Sequence, residues 1–298
     1  MKKASLKSSF LLFLAAFIWG VAFVAQSVGM DYMGPLSFNG VRFLMGSLVL
    51  LPIVIRNRKK RAKEGIKQTE LKAAFKGGIC CGSVLCVAAL LQQYGIIYTT
   101  VGKAGFITTL YIILVPVFGI FLKKKIPGKI WTGAAVAALG MYFLCMSEEF
   151  RLSKGDTLVF ICAVLFSVHI LVIDYFSPKT DGVELSCLQF LTAGIMASIG
   201  AAVFEHPHIQ YFIDGILPLA YAGILSIGVA YTLQVIGQKD TDPAVASLIL
   251  SMESVVSMLA GWVILGQELT VRELFGCMLV FFAVILVQLP DRNKSIKS

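Results

Sequence analysis

Three side chains that can carry a charge lie inside apolar stretches of the sequence: Arg42, His169 and Glu253. A charge in such a stretch is costly, so each is expected to face a polar cavity or a partner side chain. Arg42 and Glu253 could approach one another, and for Arg42 a structural or gating role is favoured over direct binding. Glu253 could instead exchange a proton, and His169 could exchange one near neutral pH or simply satisfy a hydrogen bond. All three are candidates for proton coupling or gating.

Buried amides and aromatic rings form a second group of candidates. A buried amide needs partners from protein, water or ligand, so Gln92 and Gln234 either bond between helices or contact a substrate. Gln93 would point about 100° away from Gln92 on a helix, and Gln92 is preferred because Gln234 matches it in an internal repeat. Aromatic residues with polar tips can also contact a ligand. The candidate substrate-binding residues are Trp19, Gln92, Tyr111, Tyr231 and Gln234.

Patterns of catalysis and of metal binding are missing from the sequence. Gly82-Ser83 lacks the G-x-S-x-G setting of a nucleophilic serine, and Glu205-His206-Pro207-His208 lacks zinc-protease spacing. The seven cysteines form no C-x-x-C or His-paired pattern. The sequence therefore predicts no catalytic residue, no metal and no cofactor, and it argues against an enzyme.

The composition indicates whether the chain lies in water or in a lipid bilayer. Of 298 residues, 57% are hydrophobic and 14% are charged, and the mean hydropathy is +0.83. Soluble domains are roughly 45–50% apolar and about 25% charged, so this composition indicates an integral membrane protein. The net charge of +9 sits in short clusters between apolar runs. Such clusters fit the cytoplasmic face of a membrane and argue against a nucleic-acid partner.

Ten apolar runs are long enough to predict membrane-spanning helices, each needing about 20 residues. The first follows three lysines but lacks a convincing cleavage site, so an uncleaved helix is expected. The predicted fold is all-α with ten transmembrane helices. The runs are 10–28, 36–55, 73–94, 104–122, 130–146, 157–175, 185–204, 216–237, 244–265 and 274–289.

The distribution of Lys and Arg predicts the orientation. With the N-terminus inside, 21 basic residues fall on the cytoplasmic side and four on the opposite side. Cytoplasmic loops of membrane proteins collect Lys and Arg. We therefore expect a multi-pass protein of the plasma (inner) membrane with both termini in the cytoplasm.

The two halves of the sequence resemble each other. Gln92-x-x-Gly95 recurs 142 residues later as Gln234-x-x-Gly237, and further matches follow in the same register. Five runs per half is an odd number, so the second half would enter the membrane in the opposite sense. The prediction is two inverted five-helix repeats, 7–147 and 152–290, with a substrate site near the midplane between them.

Several stretches together resemble a known family. They are AAFIWGVAFV, NGVRFLMGSLVLL, QQYGIIYTTVGKAGFITTLYIILVPVFG and SLILSMESVVSMLAGWVILGQELTVRELFG. In order and spacing they are similar to EamA-like members of the drug/metabolite transporter superfamily. The resemblance implies ten helices, inside termini, a central cavity and export of small metabolites. It puts on cavity-forming helices the residues Trp19, Gln92, Tyr111, His169, Tyr231, Gln234 and Glu253.

The sequence departs from the family pattern at two places. Many relatives carry Glu-Pro in the ninth span, whereas this chain has Glu253-Ser254, so the resemblance implies no proline kink there. An acidic residue often follows the fourth span, whereas this chain has Lys123, Lys124 and Lys125.

The favoured function is an alternating-access secondary transporter that exports a small polar or amphipathic metabolite such as an amino acid. The alternative is a flippase for a lipid or a lipid-linked sugar, with a channel as a further rival. The expected partners are the metabolite, the bilayer and protons as a coupling ion, and the expected oligomeric state is a monomer or a weak homodimer.

Overall fold

The structure is a computed structural model that describes residues 5–63, 65, 68–124, 126–145, 153–266, 268 and 270–288. Within these residues every regular element is a helix. The predicted all-α class is therefore confirmed. The predicted repeat boundaries at 147, 152 and 290 lie outside the described residues, as does Lys125.

The helices follow one another with short connections, and they include a single-turn 3₁₀ helix, Ser177–Lys179. The other elements are α1 (Leu6–Gly29), α2 (Pro35–Lys63), α3 (Gln68–Ile96), α4 (Val101–Thr108), α5 (Tyr111–Phe121), α6 (Gly128–Cys145), α7 (Lys154–Phe176), α8 (Gly182–Phe204), α9 (Ile209–Asp214), α10 (Ile216–Ala220), a π-helix (Tyr221–Tyr231), α11 (Thr232–Lys239), α12 (Pro243–Leu250), α13 (Met252–Leu265) and α14 (Val271–Gln288).

Eight helical stretches in the described part of the chain are long and apolar enough to cross a membrane. The helices α6 and α14 have 18 residues each and fall outside this set, although they coincide with the fifth and tenth predicted runs. The count of ten spans therefore stays a prediction. The eight stretches are Leu6–Gly29, Pro35–Lys63, Glu70–Ile96, Val101–Phe121, Lys154–Lys179, Gly182–Phe204, Ile216–Lys239 and Pro243–Leu265.

Side-chain caps explain where several helices begin. Ser153 and Asp156 form a capping box, in which each side chain accepts from the backbone N–H of the other residue. Thr100 caps α4 and Asp242 caps α12. These two caps are 142 residues apart, so matched positions of the two halves start matched helices.

Two spans are interrupted near their centres by a hydroxyl residue. The stretch 101–121 breaks at Thr109, and the stretch 243–265 breaks at Ser251, again 142 residues later. The hydroxyl of Thr109 donates to the carbonyl of Phe106 at 2.8 Å, and that of Ser251 donates to the carbonyl of Leu248 at 2.7 Å. Such local bonds compete with the helical ladder. A break therefore exists in the ninth predicted span although the chain lacks a proline after Glu253.

The helices of the two halves pack in a reciprocal pattern. Helix α2 packs against α8, and α6 packs against α14. Helix α3 packs against α7 and α8 of the other half, while the π-helix packs against α1 and α2. Helix α1 packs against α13, and α4 and α5 pack against α7. Each half thus contributes equivalent helices to a shared centre.

Ion pairs at both ends hold the broken span α4–α5 against α7. Lys103 Nζ lies 2.7 Å from Asp156 Oδ2 at one end, and Lys124 Nζ lies 2.5 Å from Asp174 Oδ2 at the other. Thr99 adds a hydrogen bond to Asp156 at 2.9 Å. The break at Thr109 lies between these two attachments.

Candidate functional site

A cavity lies where the central helices of the two halves meet. Its free volume is about 40 Å³, enough for only a few water molecules, because one needs roughly 10–15 Å³. Seven of the eight residues that the sequence singled out line it. The lining residues are Trp19, Phe23, Gln26, Arg42, Gln92, Thr108, Tyr111, Phe166, Ile170, Ser226, Tyr231, Gln234, Leu250 and Glu253.

Tyr111 and Glu253 meet across the cavity at the two helix breaks. Tyr111 is the first residue of α5 and Glu253 the second of α13, and they occupy matched positions 142 residues apart. The Tyr111 hydroxyl donates to Glu253 Oε1 at 3.0 Å, and both residues are buried. The free N–H groups at the start of α13 also favour a carboxylate in its first turn. One hydrogen bond thus links the two interrupted spans.

Arg42 is buried, and its contacts come from its own helix. Its Nε and Nη2 donate to Asn39 Oδ1 at 3.0 and 2.6 Å. Its guanidinium lies 5.3 Å from the ring centroids of both Phe38 and Phe43, a cation–π arrangement. The described residues contain no ion pair between Arg42 and Glu253. The possibility that these two charges pair is therefore not realised in this conformation.

The amides around the cavity differ in how they are satisfied. Gln92 Nε2 donates to Thr108 Oγ1 at 3.1 Å. Gln93 turns away and donates to the backbone carbonyl of Gln26 at 2.9 Å. Among the described residues, Gln234 Oε1 and Gln26 Oε1 are buried and find no hydrogen-bond partner. Two acceptors at the cavity wall are therefore available to a ligand donor.

The π-helix contributes Tyr231 to the aromatic part of the wall. Trp19 and Tyr231 have ring centroids 4.4 Å apart at 59°, and Trp19 Nε1 donates to the carbonyl of Ser226 at 3.2 Å. A π-helix widens the backbone and leaves its carbonyls less regularly paired, which is frequent at functional sites. Here it offers one carbonyl to the indole of α1.

His169 is the one sequence candidate that does not line the cavity. It is fully buried, and its Nε2 lies 3.0 Å from Gln189 Oε1 on α8. Its ring centroid lies 6.1 Å from that of Tyr231. His169 therefore contacts Tyr231 on the side away from the cavity. It could affect a ligand only through the position of the Tyr231 ring.

Several lining residues were missed from sequence. Gln26 follows Trp19 by seven residues, which places both on one face of α1. Thr108 and Ser226 gave no such signal, because their roles depend on the helix break and on the π-helix. Among the described residues, no group of three or more side chains that could hold a metal ion occurs.

The family comparison matches both halves of the chain. The sequence model of the EamA-like transporter family matches residues 6–146 and again residues 153–289. One sequence unit is therefore present twice, and the two copies cover nearly the whole chain.

Individual relatives agree with this match. An uncharacterized transporter of Archaeoglobus fulgidus is 32% identical over 279 residues, covering 93% of this chain and 84% of that protein. The uncharacterized inner membrane transporter YedA of Escherichia coli K12 is 23% identical over 93% of this chain and 89% of its own length. A crystal structure superposes with a TM-score of 0.75 over 98% of this chain and 99% of that chain; at 18% identity it supports the fold alone. The chain belongs to the EamA-like transporter family and is a multi-pass membrane transporter.

Proposed function

We propose that this transporter works by alternating access and exports a small polar or amphipathic metabolite such as an amino acid. The observation that carries the proposal is the cavity, in which a carboxyl, a guanidinium, three amides and aromatic rings converge between the matched halves. Polar groups inside membrane spans mark solute pathways. The small volume of the cavity fits a conformation closed around the site.

The chemistry of the wall matches a zwitterion. The Gln92 amide can donate to a carboxylate on the side of the positive Arg42, whereas the unpaired Gln234 Oε1 can accept from an ammonium group on the side of Glu253. The faces of Trp19 and Tyr231 favour a cation or an apolar side chain. The binding residues we propose are Trp19, Gln92, Tyr111, Tyr231 and Gln234.

We further propose that the two halves are inverted five-helix repeats. Support comes from the double family match and from the reciprocal packing of helices. It also comes from matched caps and breaks with an offset of 142 residues. Inverted repeats with a central site suit a rocking exchange of the two halves.

The proposed orientation has both termini in the cytoplasm at the plasma membrane, because Lys and Arg collect on that side. Glu253 is proposed as the proton-coupling residue because it is buried and bonds only a neutral hydroxyl among the described residues. Arg42 and His169 are proposed to act as gating or supporting residues.

A metabolite comparison tests the function directly. Cells that overexpress the protein should enrich the medium in the exported solute relative to cells that lack it. Cells that express an unrelated membrane protein at the same level control for the burden of overexpression. Export of the soluble solute should saturate with its internal concentration. Unsaturable flux would contradict a carrier, and movement of a lipid or lipid-linked sugar alone would favour a flippase.

A further inference from the structure

A second cavity lies on the outer surface of the helix bundle, between α2 and α8. Its volume is about 280 Å³. Its wall is apolar apart from an ion pair at one end and the Ser47 hydroxyl, which donates to the backbone carbonyl of Cys187 at 3.1 Å. The lining residues are Leu44, Ser47, Leu48, Leu51, Val54, Arg58, Glu184, Cys187, Leu188 and Leu191. We call this cavity the lateral groove.

The groove lies beside the contact between α2 and α8. Small residues bring the two helices together: a Cβ added to Gly40 would lie 2.6 Å from Ser198 Oγ, and one added to Gly194 would lie 2.8 Å from Leu44 Cγ. Half of the residues that line the groove are leucines, and they come from both helices. Leu48 and Leu191 remain 64% and 41% exposed.

The depth of the groove matches one leaflet of a bilayer. Leu44 and Val54 are ten residues apart on α2, about 15 Å along the helix, which is half of a hydrocarbon core of about 30 Å. Arg58 lies one helical turn beyond Val54. Its guanidinium is therefore at headgroup depth when the apolar wall lies at acyl-chain depth.

The mouth of the groove is positively charged. Arg58 is 49% exposed, and its Nη2 lies 2.6 Å from Glu184 Oε1, while Glu184 is 4% exposed. Nε contacts the same oxygen, so the described hydrogen bonds of Arg58 leave its Nη1 unused. Arg61 shares Glu184 at 3.9 Å and also pairs with Glu70. Six of the eight residues 56–63 are basic, more than these two carboxylates neutralise.

We propose that the lateral groove binds one anionic phospholipid, with an acyl chain between α2 and α8 and the phosphate on Arg58. Between Leu44 and Val54 the wall is apolar except at Ser47, whose hydroxyl is already bonded, so an acyl chain is the occupant that this part of the wall fits. A guanidinium held in place by Glu184 presents its remaining N–H groups to a phosphate oxygen. The site lies outside the central cavity and shares no residue with it.

The test is native mass spectrometry of the detergent-purified protein titrated with phosphatidylglycerol or with phosphatidylcholine of identical acyl chains. The wild-type chain should retain one phosphatidylglycerol with at least roughly tenfold preference, about 1.4 kcal/mol. The double variant Arg58→Gln with Glu184→Gln, which removes the charge without stranding a buried carboxylate, should lose that preference. Arg56→Gln, an exposed arginine outside the groove, should keep it.

A second variant keeps the proposal falsifiable if the double variant does not fold. Leu191→Trp fills the groove without touching the ion pair and should abolish retention of the lipid. Equal retention of the two lipids by the wild type would overturn the proposal. So would displacement of phosphatidylglycerol by inorganic phosphate, or a lipid-free dimer that Leu191→Trp dissociates, because a second copy would then occupy the groove.

Discussion

At the scale of single residues, Gln92 and Gln93 are neighbours in sequence that face different partners. Gln92 lines the cavity and donates to Thr108, whereas Gln93 is fully buried and donates to the backbone of α1. Their roughly 100° separation on α3 explains the difference. The pair therefore provides an internal control for the binding role of an amide.

Gln92→Leu should weaken substrate binding, because leucine keeps the approximate size and removes the hydrogen bonding. The loss of one hydrogen bond costs about 1.5 kcal/mol, roughly a tenfold rise in KM. Gln234→Leu is expected to act in the same direction. Substrate exchange in proteoliposomes measures both.

The matched control is Gln93→Leu, which should lower the thermal midpoint of the protein and leave KM unchanged. If Gln92→Leu and Gln234→Leu, at normal expression, transport with wild-type affinity and rate, the two amides are packing residues and the binding assignment is wrong.

Glu253→Gln should abolish the acceleration of transport by an imposed pH gradient and retain substrate exchange at zero gradient. The amide keeps the shape and still accepts from Tyr111, but it cannot carry the proton of a carboxyl group. Proteoliposomes loaded with the substrate provide the measurement. Tyr111→Phe removes the hydrogen bond and leaves the carboxyl, so it should keep the response to the gradient.

Two results would contradict this assignment. Wild-type transport that ignores the pH gradient would show that Glu253 does not couple protons. Unfolding of Glu253→Gln, with Tyr111→Phe equally unstable, would make the carboxyl a structural partner of α5.

At the scale of helices, the breaks at Thr109 and Ser251 are the elements that bring Tyr111 and Glu253 together. Each break lies near the centre of a span, and each is accompanied by a hydroxyl bonded to a carbonyl three residues earlier. Each break is therefore the place where its span can bend. Ion pairs at both ends of α4–α5 limit that movement to the centre.

Ser251→Ala should lower the turnover of transport several-fold while changing the free energy of unfolding by less than about 1 kcal/mol. The alanine removes the competing hydrogen bond and favours a continuous helix. Turnover in proteoliposomes and the thermal midpoint are the two readouts.

Ser254→Ala is the control, since the Ser254 hydroxyl also bonds a carbonyl three residues earlier but lies within α13. It should leave turnover unchanged. Equal slowing by both alanines would show that the break has no special role.

The sequence was sufficient for the long helices and for half of the residues that line the central cavity. Apolar runs predict helices because backbone groups in lipid must be paired within the segment, and polar residues inside those runs pointed to the cavity. The breaks were not predictable, because a serine or threonine in a helix can bond its own backbone or a neighbouring helix. The position of His169 depended on the rotation of α7, which its packing against α3 decides.

At the scale of the whole molecule, the distribution of basic residues predicts which face is cytoplasmic. A membrane-impermeant thiol reagent applied to intact cells should label Lys154→Cys and miss Lys59→Cys, because these exposed positions lie at opposite ends of the bundle. Lys154 is preferred to Ser153, whose side chain caps α7. The wild-type protein gives the background from native cysteines, and the reverse pattern would contradict the orientation.

The contact between Tyr111 and Glu253 also bears on how such a molecule could arise by gene duplication. An ancestral half-length chain that paired with its own copy would carry the same residue at both positions. Two glutamates there would repel each other unless they shared a proton, and two tyrosines would offer no carboxylate. Fusion of the two copies lets one half carry the hydrogen-bond donor, Tyr111, and the other half carry the acceptor, Glu253. The covalent link between the halves therefore permits different residues at matched positions, which a symmetric dimer of one chain cannot have.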